Sequence, residues 1–307
     1  MNLYFEEKGI KVYNDDNLNV LKGLEDNSIN LIYCDILYNT GKKFEDYDDN
    51  LGTPLEAMEW YRPRLEEMKR VLAENGSIYI HCNWRIDSYI RVLMDEIFGM
   101  KKFRNRIYRK HSDTRVFFEN YDSQMDTILY YVKDRYNFTF NKLVGNKLYV
   151  VPLVENGTVK LHSYRITYEN KETGKVFNFN PLELNKHWLV TTGEIVEMFN
   201  RDEIIFIDGL PCTKTYEIPI GNLWDESSML DTYKRDRKDM VYDTPKPEAV
   251  LERIIKVSSN EGDTVADFFL GGGTTAVVAK KLNRKGIYCD ISKKACEVTI
   301  SKLNQIK

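Results

Sequence analysis

Cysteine and histidine are scarce in this 307-residue chain, and neither is clustered. The five cysteines, Cys34, Cys82, Cys212, Cys289 and Cys296, never fall at C-x-x-C spacing, so neither a zinc knuckle nor a disulfide framework is indicated. The four histidines are scattered, which leaves a bound metal without an evident set of ligands. No stretch approaches the roughly 18 apolar residues that a membrane helix needs. The N-terminal MNLYFEEKGIKVYND also lacks the basic-then-apolar pattern of a signal peptide. The expectation is a cytoplasmic protein with no membrane association. A G-x-x-x-x-G-K-[ST] motif is absent, which disfavours a phosphate-cradling nucleotidase. There is no excess of charge either: 44 Lys+Arg stand against 47 Asp+Glu, and on that balance alone the chain does not look like a nucleic-acid binder. Internal repeats and low-complexity tracts are missing.

What is present is ordinary globular material. Hydrophobic residues make up 42% and charged residues 30%, enough for a packed core in one large domain or two smaller ones. The first hundred residues alternate apolar runs with amphipathic ones: INLIYCDILY (29–38), AMEWYRPRLEEMKRVLAENG (57–76), SIYIHCN (77–83) and IDSYIRVLMDEIFG (86–99). Such alternation reads as βαβ units on a parallel sheet. The rhythm returns near the C-terminus, with a helix from Pro247, a strand over 264–273 running into glycines, a helix over 274–283 and a strand over 285–292. Between them, short strand-like pieces such as DTILYYV and EIIFI mix with turn residues. This pattern predicts an inserted β-rich module over 111–239, flanked by a discontinuous α/β domain of residues 1–110 and 240–307.

Two strand ends carry chemistry. The first is Asp267-Phe-Phe-Leu-Gly271-Gly272-Gly273-Thr274-Thr275, where glycines at a strand-to-helix turn let a ligand approach main-chain N–H groups. The following strand ends in Asp290, placed to accept the two hydroxyls of an adenosine ribose. The second is Asp35-Ile36-Leu37-Tyr38-Asn39-Thr40-Gly41, which sets a carboxylate and an aromatic ring three residues apart at the carboxyl end of a parallel strand. In such sheets that edge opens onto the ligand crevice.

Taken in order, Asp35-x-x-Tyr38-Asn-Thr-Gly, then Tyr242-Asp-Thr244-Pro-Lys246-Pro247, then Asp267-x-Phe269-x-Gly271-x-Gly273-Thr-Thr, the chain resembles the amino-group DNA methyltransferases. The catalytic tetrapeptide comes first and the S-adenosylmethionine loop last, which is similar to their β class, mostly adenine-N6 enzymes. The likeness extends to MDTILYYVKDRYNFTFN (125–141). It implies an α/β, Rossmann-like methyltransferase fold, with a mixed, mostly parallel seven-stranded sheet, helices on both faces and an inserted target-recognition module. Its implied cofactor is S-adenosyl-L-methionine and its implied partner double-stranded DNA. Family habit adds a homodimer and a cognate restriction endonuclease.

The chemistry implied is a difficult one, because an exocyclic amine on a base has its lone pair delocalised into the ring. Two acceptors on its N–H groups can draw the nitrogen toward tetrahedral geometry and aim the lone pair at the sulfonium methyl. By resemblance these are the Asp35 side chain and the main-chain carbonyl of Ile36, with Tyr38 stacking on a base flipped out of the duplex. Asp267, Phe269, Gly271, Gly273 and Thr274 would form the cofactor loop. Asp290 would take the ribose, Thr244 and Lys246 would reach the carboxylate end, and Asp16 and Asp35 would line the same pocket. The family tetrapeptide normally carries proline, and here Ile36 and Leu37 replace both prolines. Isoleucine can offer the backbone carbonyl but lacks proline's fixed φ. Cytosine-N4 methylation, and a weakened relative that binds cofactor and DNA without turnover, are the alternatives. Cysteine-based C5 methylation would need a Pro-Cys nucleophile, and Pro211-Cys212 is the only such pair. It lies in the β-rich middle and reads as a turn. Cys34 reads as a small buried hydrophobe, and His81 ends a strand near the presumed pocket without an identified partner.

The charge balance conceals two unlike parts. Residues 1–60 hold thirteen Asp+Glu against five Lys, whereas 101–115 carry seven basic residues and one acid. Arg104, Arg106, Arg109, Lys110 and Arg115, the second run containing Lys234 and Arg235, and Asn39, Lys42 and Lys43 beside the tetrapeptide are the candidate DNA contacts.

Overall fold

The computed structural model describes residues 1–44, 47–110, 124–142, 149–156, 163–215, 221–225 and 246–306. The chain divides into two units, one of Met1–Lys142 with Gly221–Lys307 and one of Leu143–Ile220.

The larger unit is built on a nine-stranded sheet. In chain order its strands are β1 (Leu3–Glu7), β2 (Ile10–Asn14), β3 (Ile29–Asp35), β4 (Leu72–Cys82), β5 (Phe103–Lys110), β6 (Met125–Val132), β7 (Leu223–Asp225), β8 (Thr264–Asp267) and β9 (Lys285–Asp290). They lie side by side as β1-β2-β9-β8-β3-β4-β6-β5-β7. From β2 to β4 the neighbours are all parallel, and β6 runs antiparallel between β4 and β5. The expected seven strands are these; β1 and β7 extend the sheet at its two edges.

The helices are α1 (Asn17–Lys22), α2 (Pro54–Val71), α3 (Asp87–Phe98), α4 (Thr192–Asn200) in the smaller unit, α5 (Glu248–Ser258), α6 (Thr274–Lys281) and α7 (Lys293–Asn304). Because side chains alternate along a strand, β3 sends Ile32 and Cys34 to one face and Leu31 and Tyr33 to the other. Helices α1, α2 and α3 cover the first face, with Leu21, Leu65 and Leu93 buried there. Helices α5, α6 and α7 cover the second, through Ile254, Val278 and Leu303. Burial on both faces explains why INLIYC has no polar alternation. Helix α2 starts where a capping box places it: Thr53 accepts from Glu56 N while Glu56 reaches back to Thr53 N, and Pro54 occupies the first turn. The helix expected over 57–76 ends sooner, at Val71, because Leu72 already enters β4.

The insert is narrower than expected. Met125–Val132, placed by the sequence pattern inside the module, is a central strand of the large sheet, and Leu223–Asp225 adds to its edge. The physical reason is burial: Ile128 through Val132 are all buried, and Tyr130 stacks on Tyr79 of the neighbouring strand at 4.3 Å between ring centroids.

The smaller unit has its own core, formed by Leu153, Val154, Ile166, Phe177, Trp188 and Ile195. Small antiparallel ladders surround it, including Ile166–Glu169 with Val176–Phe179 and Ile204–Ile207 with Leu210–Thr215. The Trp188 indole is buried and donates to the Tyr164 carbonyl at 2.8 Å, so its one polar atom is satisfied. Cys212 lies in the Leu210–Thr215 strand, not in a turn.

Candidate active site

Strands β3 and β8 are neighbours, yet β3 leads through α2 to β4 on one side and β8 through α6 to β9 on the other. The sheet order therefore reverses between them, and a crevice opens at their carboxyl ends. Asp35 ends β3 and Asp267 ends β8, so both sequence constellations meet at this one place.

The tetrapeptide side is a charged cluster. The Tyr38 hydroxyl donates to Asp35 Oδ1 at 2.7 Å. Lys246 Nζ lies 3.0 Å from Asp35 Oδ2 and donates to the Tyr38 hydroxyl at 3.0 Å. Lys246, expected at the carboxylate end of a cofactor, is thus engaged with the tetrapeptide; its chain position just before α5 and its long stem bring the ammonium to Asp35. Burial, and then the Asp35 carboxylate, push the Tyr38 phenol well above its ordinary pKa, so it stays a neutral donor. Tyr38 Oη and the Asp35 carboxylate present a ring and an acceptor on one short arc.

Beneath them lies a side chain whose partners no local sequence pattern reveals. His81 is fully buried at the end of β4, paired in register with Asp35. Its Nδ1 is 2.8 Å from the Tyr33 hydroxyl and 3.7 Å from Asp35 Oδ1, and its Nε2 is 3.4 Å from Asp126 Oδ2. Burial, and then the charge of Lys246, depress the pKa of His81, with Asp126 and Asp35 opposing. A neutral ring with its proton on Nε2 fits this setting, accepting from Tyr33 and facing Asp126. Burial works to raise the pKa of Asp126, but His81, Lys246 and Arg109 outweigh it and hold the carboxyl well below its usual range. Arg109 Nη1 donates to Asp126 Oδ2 at 2.8 Å and is only 8% exposed.

That burial corrects one expected DNA contact. Arg109 points into the sheet and neutralises Asp126, because alternation along β5 sends residues 107 and 109 inward while 104, 105 and 110 stay exposed. Arg106 is half-buried and lies 3.7 Å from Asp87. Arg104 is exposed, its guanidinium over the Phe138 ring, and Lys110 is exposed as well. Lys42 and Lys43 are exposed on a two-stranded ribbon with Asp48 and Asp49. Asn39 is spent within this loop: its amide donates to the Gly52 carbonyl at 2.9 Å and its oxygen accepts from Leu51 N at 2.8 Å. The buried Asp49 carboxylate holds the loop by accepting from the main-chain N–H groups of Asn39 and Thr40. Arg115, Lys234, Arg235 and Thr244 lie outside the described residues.

The glycine side is built differently. Asp267 is 2% exposed, and among the described residues no cation lies against it; its Oδ1 accepts from Phe269 N at 3.0 Å and its Oδ2 from Thr275 Oγ1 at 2.6 Å. Burial raises its pKa to about 7 against those two donors. Asp290, placed by the sequence at the ribose, accepts from Gly271 N and Ser292 N, each at 2.8 Å. Gly271 and Gly273 have φ of +52° and +76°, a region where a side chain is strained. At Gly273 a Cβ would also strike Thr299, so α6 can start this close to α7 only from glycine. Thr274 is the first residue of α6. The half-buried Phe269 faces the crevice side of α2, its ring 6.3 Å from those of both Trp60 and Tyr61. Asp16 caps α1 through Leu18 N at 2.8 Å and takes the Arg64 guanidinium on its other oxygen, also at 2.8 Å. A tight glycine turn, an aromatic ring and two carboxylates suit a nucleoside that ends in a cationic amino-acid tail. Among the described residues, no three His, Cys, Asp or Glu side chains cluster to hold a metal ion, and no helix is long and apolar enough to cross a membrane.

Comparison with known proteins agrees with this geometry. The family model described as DNA methylase, of the N6/N4 methyltransferases, matches residues 29–302. The chain is 31% identical over 287 residues to the type II methyltransferase M.HpaI of Haemophilus parainfluenzae, covering 94% of this chain and 72% of that protein. It is 28% identical over 304 residues to the DNA adenine methyltransferase YhdJ of Escherichia coli K12, covering 98% and 84%. Among solved structures, the PvuII cytosine-N4-specific DNA methyltransferase superposes with a TM-score of 0.59 at 11% identity, covering 100% of this chain and 91% of that one.

Proposed function

We propose that this chain, which belongs to the N6/N4 DNA methylase family, methylates the N6 amino group of adenine in a base flipped out of duplex DNA. S-adenosyl-L-methionine is the methyl donor of the family, and when bound it supplies an electrophilic sulfonium methyl. The observation that carries the reading is the meeting of Asp35 and Asp267 at adjacent strand ends, which supports taking Asp35 as an amine acceptor beside a cofactor turn.

The work of the residues follows from their positions. Asp35 and the Ile36 carbonyl accept the two N–H groups of the target amine and turn its lone pair away from the ring. Tyr38 stacks on the extruded base, a contact worth about 1–3 kcal/mol in comparable sites. Lys246 and Tyr38 hold the Asp35 carboxylate in place until the amine arrives, and neutral His81 below them adds no competing positive charge. On the cofactor side, Phe269 lies against the nucleoside, Gly271 and Gly273 let the backbone close on it, and Asp267 balances the ammonium end. Asp290 and Asp16 shape that wall, and Thr244 belongs to the same reading.

An aspartate rather than a serine at position 35, together with the adenine relative, favours adenine. Cytosine N4 is the competing target, since the same two acceptors serve either amine. Tritium transfer from labelled cofactor to duplex DNA, followed by digestion to nucleosides, tests the reading: N6-methyladenine supports it, N4-methylcytosine replaces it, and no transfer to any DNA refutes it. The proposal extends to a cytoplasmic site of action, a homodimer and a cognate restriction endonuclease; sedimentation with and without duplex checks the dimer.

A further inference from the structure

We infer that Tyr61, in the middle of α2, is a positioning residue that fixes the Ile36–Leu37 backbone in place of the family's prolines and ties it to the cofactor loop. The inference rests on the methyltransferase reading above.

Three contacts carry it. The Tyr61 hydroxyl donates to the Leu37 carbonyl at 2.9 Å, which ties down the peptide immediately after the acceptor carbonyl of Ile36. On the other side of that residue, the Ile36 N–H donates to the His81 carbonyl at 3.2 Å, a bond that proline has no hydrogen to make. The Tyr61 ring lies 6.3 Å from the Phe269 ring and edge-on to Trp60 at 4.9 Å, so the residue that holds the tetrapeptide also borders the cofactor turn.

The surroundings make this hold firm. Tyr61 is 1% exposed, and Ile36, at 4%, is buried in the same core. Burial, and then the nearby Asp49 carboxylate, push the Tyr61 phenol well above its ordinary pKa, so it remains a donor throughout the physiological range. The tetrapeptide thus has, where proline would have supplied a fixed φ, a packed Ile36 side chain and an N–H bond closed to proline, and the Tyr61 bond ties the next carbonyl. A carbonyl that must meet an amine within a few tenths of an ångström benefits from either device, since misplacement of about 1 Å costs roughly 100-fold in rate.

Tyr61→Phe removes the hydroxyl and keeps the ring. Wild-type and variant are compared for kcat, for KM toward S-adenosylmethionine and duplex DNA, and for melting temperature. The expected result is a fall in kcat of about tenfold or more, with both KM values and the melting temperature essentially unchanged. An unchanged kcat overturns the inference. So does a joint loss of kcat, cofactor binding and melting temperature, which is the signature of a packing residue alone. If the wild-type protein methylates no DNA, the functional reading fails instead, and the two failures are told apart by that control.

Discussion

Asp35 and Asp267 end neighbouring strands of one sheet, yet the protein treats the two carboxylates in opposite ways. Asp35 is partly open to solvent and sits in a cluster with Lys246 and Tyr38, above the His81–Asp126–Arg109 chain. Asp267 is sealed from solvent and held by one hydroxyl and one main-chain N–H, with its pKa raised to about 7. On the proposed function, the difference separates a charge presented to a substrate from one that costs stability until a cation meets it. Among the described residues, an ammonium lies against Asp35 and none against Asp267.

The sharpest test of that contrast is Asp35→Asn. The amide keeps the shape of the side chain but replaces one acceptor oxygen with a donor, so the target amine loses a partner it needs only as the reaction proceeds. By analogy with other single-group losses in preorganised sites, kcat should fall about 100- to 1000-fold. Cofactor affinity, measured by calorimetry, should hold, because the Asp267 side is untouched. A similar loss in both quantities would show that the two carboxylates form one site with one role.

Arg109→Met probes the charge chain that underlies Asp35. The variant removes the guanidinium that meets Asp126 at 2.8 Å, and breaking a buried pair from one side costs up to about 3–5 kcal/mol. A urea melt should register that loss, and DNA binding should change far less than stability does. Were Arg109 a phosphate contact, the order would be reversed.

Much of this was legible from the sequence alone. The strand ends at Asp35 and Asp267 could be read because apolar runs and glycines mark where a strand stops, and the order of motifs placed them on one sheet. The role of His81 could not, because its partners Tyr33, Asp35 and Asp126 come from two other strands, joined to it only by strand pairing. For the same reason the basic run over 101–110 looked uniform, although strand alternation turns Arg109 inward and leaves Arg104 outside. Tyr61 was invisible as well: in a helix pattern it is one more apolar-face aromatic, and only the fold shows that its hydroxyl ends at Leu37. The boundary of the insert was misplaced because DTILYYV reads equally well as a strand of either unit.

The pH dependence of the ligand-free protein separates the carboxylates again. The pKa of Asp267 is raised from 3.8 to about 7 on folding, so the folded state holds a proton that the unfolded state releases. Its contribution is therefore fully present below about pH 4 and is lost as pH rises through about 7, by at most about 4 kcal/mol. Melting temperature should drop between pH 5 and pH 8 in the wild-type protein and drop less in Asp267→Asn. Cofactor at saturation should flatten the wild-type curve, since a cationic tail beside Asp267 favours the ionised form. An identical slope in wild type and variant would remove Asp267 as the source.

The smallest expected effect belongs to Arg104→Ala, on the exposed side of the same strand that buries Arg109. An exposed guanidinium stacked on Phe138 can reach a phosphate without paying for desolvation, and one phosphate contact contributes about one unit to the slope of log affinity against log salt. The variant should bind duplex a few-fold more weakly at low salt, converge with wild type as salt rises, and keep its kcat at saturating DNA. Arg109→Met should leave that slope unaltered. Two arginines five residues apart on one strand would then be sorted by experiment as the alternation of the strand sorts them, the inward one as support for the chemistry and the outward one as part of the DNA contact.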